Sequence, residues 1–312
     1  MEKKLWNYTF SILLSIILLL LLGIFLHLDG NGIKEHNSVD FENKQTINSR
    51  EQIIEERNIE SIPIKFPYEI FNQKEEELLI ERFLQEKKEV KTDKPKIAII
   101  IDDLGYQVEI AERLLSLDYP VAFSILPYLP YSQVVFKMAK ENDITILMHL
   151  PMEPHDSNIN PGKGAIYSNM TEEEIKNKLL ANLNNLPGVD GVNNHMGSKV
   201  TENEKVMKVI LQEIKNQNLF FVDSMTSPNS IGYALGKEMG VETAFRSVFL
   251  DNNQELDYIR KQFEILIDLA LKYGSAIAIG HPYCNTVDIL EEVTPLLYSK
   301  NIEVVKLTQL VK

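Results

Sequence analysis

From residue 96 onward the chain alternates short, continuous apolar runs with longer amphipathic stretches. The runs at 97–101 (IAIII), 121–125 (VAFSI), 144–148 (ITILM), 189–192, 219–222, 243–249, 276–279 and 302–305 have strand length and are predicted strands. Between them, 108–117, 131–141, 171–186, 203–216, 229–239, 254–273 and 287–300 read as helices, and 171–186 opens with a capping box, Thr171 to Glu174. Strands that are apolar throughout and separated by helices form a parallel sheet covered on both sides. About seven to eight such β/α repeats predict a distorted (β/α) barrel of parallel strands. An open doubly wound sheet is the competing arrangement, because periodicity does not reveal closure.

The first 95 residues follow other patterns. Residues 8–28 (YTFSILLSIILLLLLGIFLHL) carry no formal charge, and at about 1.5 Å per residue they span a hydrocarbon core of about 30 Å. Lys3 and Lys4 precede this run and Trp6 sits at its edge. The positive-inside tendency therefore predicts one transmembrane helix with a cytoplasmic N-terminus and the rest of the chain on the extracytoplasmic side. A cleaved signal peptide shares the same beginning, but the run is longer than a usual signal core and no A-x-A-like site follows it. Residues 29–95 are roughly two-fifths charged with no period, which describes a linker. Within it, 72–89 places Leu78, Leu79, Phe83 and Leu84 at helical spacing and predicts one helix, read as a solvated charged one. The organisation expected is an anchor at 1–28, a linker at 29–95 and one domain at 96–312, too short for two ordinary domains.

Composition narrows the function. The net charge is −13, which argues against a partner bound through its phosphate backbone, so no nucleic acid is expected. A lone cysteine, Cys284, excludes an internal disulfide and a cysteine-built zinc site. No G-x-G-x-x-G follows a strand and no P-loop motif occurs. Ser224 lacks the G-x-S-x-G elbow of a serine nucleophile, and only nearness to His281 recommends Cys284 as one.

The polar residues fall where the predicted strands end. Asp102-Asp103 closes the first, His149 the third and His281 the seventh; His195 follows the fourth in a polar turn, and Asp223 ends the fifth. In β/α folds these ends meet at one rim, so residues distant in sequence converge there. An acid pair after five apolar residues serves as metal ligand, base or helix cap, and capping accounts for only one of the two. Gly105 permits a turn that could redirect one of them into the barrel mouth. His149 and Glu153 do not share a helix, because Pro151 and Pro154 impose extended backbone; a rigid loop could still present both to one site. His281, before Pro282, suits a general acid near neutral pH. Asp223, Ser224 and Thr226 are equally readable as turn formers. Arg246, inside a predicted strand, needs a buried partner, for which the rim acids are candidates.

The segments IIIDDLG, MHLPMEP, NNHMGS, FVDSMTS and IGHP, in this order, resemble the divergent polysaccharide deacetylases, part of the wider NodB-like superfamily of carbohydrate esterases. The resemblance covers residues 96–312. It implies a distorted (β/α) barrel with a divalent metal, zinc foremost, at the strand C-termini. It further implies Asp102 as base, Asp103 and His149 as metal ligands and His281 as acid. Glu153 stands where the family pattern H-x-x-x-H has its second histidine, so His195 is the replacement expected, with Glu153, Asp223 and Arg246 in support. The function implied is a metal-dependent hydrolase of N-acyl groups on an envelope amino-sugar polysaccharide, tethered to the membrane. The alternative is a non-catalytic envelope module that keeps the barrel and binds glycan or protein.

Overall fold

The computed structural model describes residues 73–312, apart from residues 87, 91 and 93. The anticipated membrane span at 8–28 and most of the linker lie outside the described residues. Among the described residues, no helix is long and apolar enough to cross a membrane.

The barrel wall is parallel throughout. Its strands are β1 (Lys96–Leu104), β2 (Ala122–Ile125), β3 (Ile146–Met152), β4 (Gly191–Met196), β5 (Phe220–Asp223), β6 (Thr243–Phe245), β7 (Val248–Phe249), β8 (Ser275–Gly280) and β9 (Glu303–Val304). They run in the order β6-β5-β4-β3-β2-β1-β8-β7, with β9 beside the start of β1. The two ends of that order are one stretch of chain. The main-chain N–H of Arg246 still bonds to Asp223 at 3.0 Å, whereas that of Ser247 bonds to Ile277 at 2.8 Å. The expected strand at 243–249 is thus split: its first half pairs with β5 and its second half with β8, an arrangement consistent with a distorted (β/α) barrel.

Eight of the nine residues of β1 are buried, as expected of a strand with side chains packed on both faces. Outside the wall lie α1 (Gln73–Glu86), α2 (Glu109–Leu115), α3 (Ser132–Glu141), α4 (Glu172–Asn185), α5 (Ser198–Thr201), α6 (Glu204–Asn216), α7 (Gly232–Glu238), α8 (Leu256–Tyr273), α9 (Cys284–Glu292) and α10 (Thr294–Ser299). Helix α4 has the expected capping box between Thr171 and Glu174. The single helix anticipated at 287–300 is two, because Pro295, without an N–H, begins a new helix rather than continuing the old one. Helix α1 is less solvated than its charge suggested: Leu79 is buried in the core, and the Arg82 guanidinium donates to the Pro228 carbonyl at 2.8 Å.

Three strands run past their apolar sequences into polar residues. β1 continues through Asp102 and Asp103, β3 through His149, and β4 through Asn193, Asn194 and His195. His195 therefore lies within a strand and not in a turn beyond it. Backbone pairing carries the ladder forward irrespective of side-chain polarity, and the polar side chains satisfy one another at the barrel mouth.

Candidate metal centre and active site

Local backbone geometry sets the position of the acid pair. The register of β1 against β2 shifts between Ile101 and Leu104, and Asp103 takes a left-handed conformation with φ of 55°. This bulge re-aims the pair, so the redirection resides in Asp103 itself as well as in Gly105 beyond it. Met196 (φ 51°) and Met225 (φ 52°) are also left-handed, at the ends of β4 and just after β5. Such conformations are costly for residues with a Cβ and cluster where function demands an unusual chain path.

Asp103, His149 and His195 are all buried, and one donor atom from each lies within 4.8 Å of the others. His149 Nε2 is 3.3 Å from Asp103 Oδ1, His195 Nδ1 is 2.9 Å from the same oxygen, and the two ring nitrogens are 3.2 Å apart. Neither Asp103 oxygen has a partner in hydrogen-bond geometry, although both are buried. Two imidazole nitrogens crowded against a buried carboxylate that has no hydrogen bond of its own form a candidate ligand set, since buried polar atoms otherwise find partners. The residues therefore fit a divalent metal. Electrostatics agrees. Burial alone would raise the Asp103 pKa, yet the His195 and His149 rings hold it well below the ordinary carboxylate value. Burial likewise opposes charge on His149, but Asp102 and Asp103 outweigh it and raise its pKa. The cluster favours a positive charge at its centre.

Around the triad, Asp102 Oδ1 accepts from Asn193 Nδ2 at 2.8 Å, while Oδ2 lies 3.6 Å from His149 Nε2. His281 approaches from β8, its Nδ1 2.8 Å from Asp251 Oδ1 and its main-chain N–H donating to Asp251 Oδ2 at 2.6 Å. Burial works against a charged His281, and Asp251 overrides it, pushing the pKa up to about 9. Asp102, His149, His195, Ser224, Phe249 and His281 line one cleft.

The three residues expected in support sit outside the triad. Glu153 clamps a loop: its Oε2 accepts from the Ser168 N–H at 2.7 Å and hydroxyl at 2.6 Å, and Lys199 donates to Oε1 at 2.8 Å. Asp223 braces the turn after β5 by accepting from the Met225 N–H, the Ser230 hydroxyl and the Tyr233 N–H. Arg246 donates to the main-chain carbonyls of Ser224 and Met225 at 2.7 and 2.9 Å, where rim carboxylates were anticipated, and stacks on Phe249. It thereby steadies the cleft wall that carries Ser224. Sequence reasoning passed over Asn193 and Asp251. Asn193 stands two residues before His195 on a strand and so faces the same side, and Asp251 ends the split strand as the other rim acids end theirs.

A parallel β/α barrel with a buried Asp-His-His cluster at its strand ends defines the class of this domain. The profile of the divergent polysaccharide deacetylases matches residues 99–311, and the chain belongs to that family. It is 37% identical over 198 residues to the uncharacterized Escherichia coli K12 protein YibQ, across 64% of this chain and 62% of YibQ. With an uncharacterized Haemophilus influenzae protein it shares 34% over 196 residues, across 63% of this chain and 70% of that protein. The chain thus matches less than two-thirds of the length of YibQ. Among solved structures, an uncharacterized Agrobacterium tumefaciens C58 protein superposes with a TM-score of 0.67 at 19% identity, covering 75% of this chain and 95% of the other. That likeness shows the fold.

Proposed function

We propose that the domain is a metal-dependent hydrolase that removes N-acyl groups from an amino-sugar polysaccharide of the cell envelope. The observation that carries this reading is the meeting of Asp102, His149, His195 and His281 in one cleft, with Asp103 buried against the His149 and His195 imidazoles. Two imidazoles and a carboxylate suit zinc among the transition-metal ions such a set can hold. When bound, such an ion supplies Lewis-acid polarisation of the acyl carbonyl and a more acidic water.

The chain's own groups do the rest. Asp102 Oδ1 is occupied by Asn193, so Oδ2, on the side of His149, takes the proton from the attacking water. The water oxygen bonds to the acyl carbon and the C–N bond breaks. His281 is held by Asp251 at Nδ1, and its ring delivers a proton to the departing amine. A pKa near 9 keeps that proton in place at neutral pH. The products are a carboxylate and a free amino sugar.

The apolar run at 8–28 behind Lys3 and Lys4 supports a membrane tether that holds the cleft beside envelope glycans. A reporter fused after Lys312 should be active only outside the cytoplasm. For the chemistry, zinc-loaded protein is incubated with N-acetylated chitooligosaccharide or peptidoglycan. Acetate release that stops with a chelator and returns with metal is expected. No release, together with an Asp102→Asn variant that leaves the cellular role intact, would replace hydrolysis with a binding role.

A further inference from the structure

We propose that Asn193 is a positioning residue for both halves of the site, fixing the tautomer of His149 through its amide oxygen and orienting Asp102 through its amide nitrogen. Asn193 is fully buried on β4 and pairs in register with His149 on β3. Its Oδ1 lies 2.9 Å from His149 Nδ1 and accepts from the Ser124 hydroxyl at 2.7 Å. Its Nδ2 donates to Asp102 Oδ1 at 2.8 Å and reaches the Ser224 hydroxyl at 3.3 Å.

The orientation of this amide follows from its neighbours. An ionised carboxylate only accepts, so the NH₂ end must face Asp102, and the oxygen is left to face Ser124 and His149. A carbonyl oxygen only accepts as well, so His149 Nδ1 must carry hydrogen. A neutral ring then presents the Nε2 lone pair toward Asp103 and His195, the side on which the donor atoms converge. One side chain thereby settles which nitrogen of His149 is free to bind a metal and which oxygen of Asp102 is free to take a proton. Two strands that pair side by side are coupled with an acid two strands away. The Asp102 half rests on the hydrolytic reading above, and the His149 half does not.

The experiment combines zinc affinity, acetate release and ¹⁵N histidine spectra of the full chain, with thermal unfolding as the control for folding. In zinc-loaded wild-type protein, His149 should show a protonated Nδ1 and a metal-bound Nε2; the opposite assignment overturns the proposal without any variant. Asn193→Asp keeps the acceptor and loses the donor, so zinc affinity should be retained while acetate release falls by roughly 10²-fold or more, the scale of a displaced general base. Asn193→Leu loses both, and affinity should drop about 10- to 100-fold, as when a metal ligand loses its outer partner. A folded Asn193→Leu protein with wild-type affinity and an unchanged His149 tautomer refutes the inference. If no form of the protein releases acetate but the affinities separate as stated, the His149 role stands and the hydrolytic reading falls.

Discussion

Asp251 grips His281 at two points, its Oδ1 2.8 Å from the ring Nδ1 and its Oδ2 2.6 Å from the main-chain nitrogen, while Thr286 donates to Oδ2 as well. The carboxylate follows β7 and the imidazole follows β8, so the pairing of these two strands brings the candidate acid to its partner.

The pair dictates a pH dependence. His281 has a folded-state pKa of about 9 against 6.5 ordinarily, burial being overruled by Asp251. A raised pKa means that the protonated ring stabilises the fold fully below pH 6.5, and that this contribution is lost as pH rises through 9. Asp251→Asn should lower the His281 pKa, read by NMR titration of the metal-free protein. The stability gap between wild type and variant should be wider at acidic than at alkaline pH, and the alkaline limb of the hydrolysis profile should move to lower pH. An unmoved His281 titration would remove Asp251 from the account.

Metal binding should stabilise the protein. At zinc concentrations near one hundred times the dissociation constant, linkage predicts about 2.7 kcal/mol, visible as a rise in Tm. Asp103→Ala and His149→Ala should abolish that rise and leave no bound metal by elemental analysis. A Tm that rises equally in wild type and Asp103→Ala would place the metal elsewhere.

Removal of the candidate base should separate chemistry from metal content. Asp102→Asn is expected to slow acetate release by roughly 10²- to 10⁴-fold, the usual share of general-base catalysis. Its zinc stoichiometry should match wild type. Loss of zinc in this variant would make Asp102 a ligand instead.

Glu153→Gln tests the loop clamp. The carboxylate bonds to Ser168 and Lys199, which hold its pKa below the ordinary glutamate value against the opposing effect of burial. The variant should keep full zinc stoichiometry and lose protection of the 153–168 backbone in hydrogen exchange. A fall in bound zinc would make Glu153 a metal ligand instead of the supporting residue expected.

Much of this architecture is legible in the local sequence. The apolar runs mark β1 to β5 and β8 to within a few residues, because a strand buried on both faces must be apolar along most of its length. The capping box at Thr171 and the prolines at 151 and 154 act within a few residues of themselves, and they shaped the chain as their local chemistry dictates. Asp102, Asp103, His149 and His281 stood out as polar residues abutting apolar strands. The ends of the strands were harder to read, since the ladder through Asp103, His149 and His195 is maintained by neighbouring strands and not by the side chains themselves.

The remaining features depend on groups that are far apart in the chain. Nothing near residue 246 says that the ladder changes partner between Arg246 and Ser247, because that choice belongs to Asp223 and Ile277 on two other strands. The division of labour among the acids is of the same kind. Asp103 and Glu153 carry the same charge, yet one lies against two imidazoles while the other meets Ser168 and Lys199. Periodicity reports burial residue by residue. The identity of the group across a cleft is fixed by strand order and register, so the Asp-His-His cluster, the bond from Asn193 to Asp102 and the Asp251-His281 pair exist only once the strands have paired.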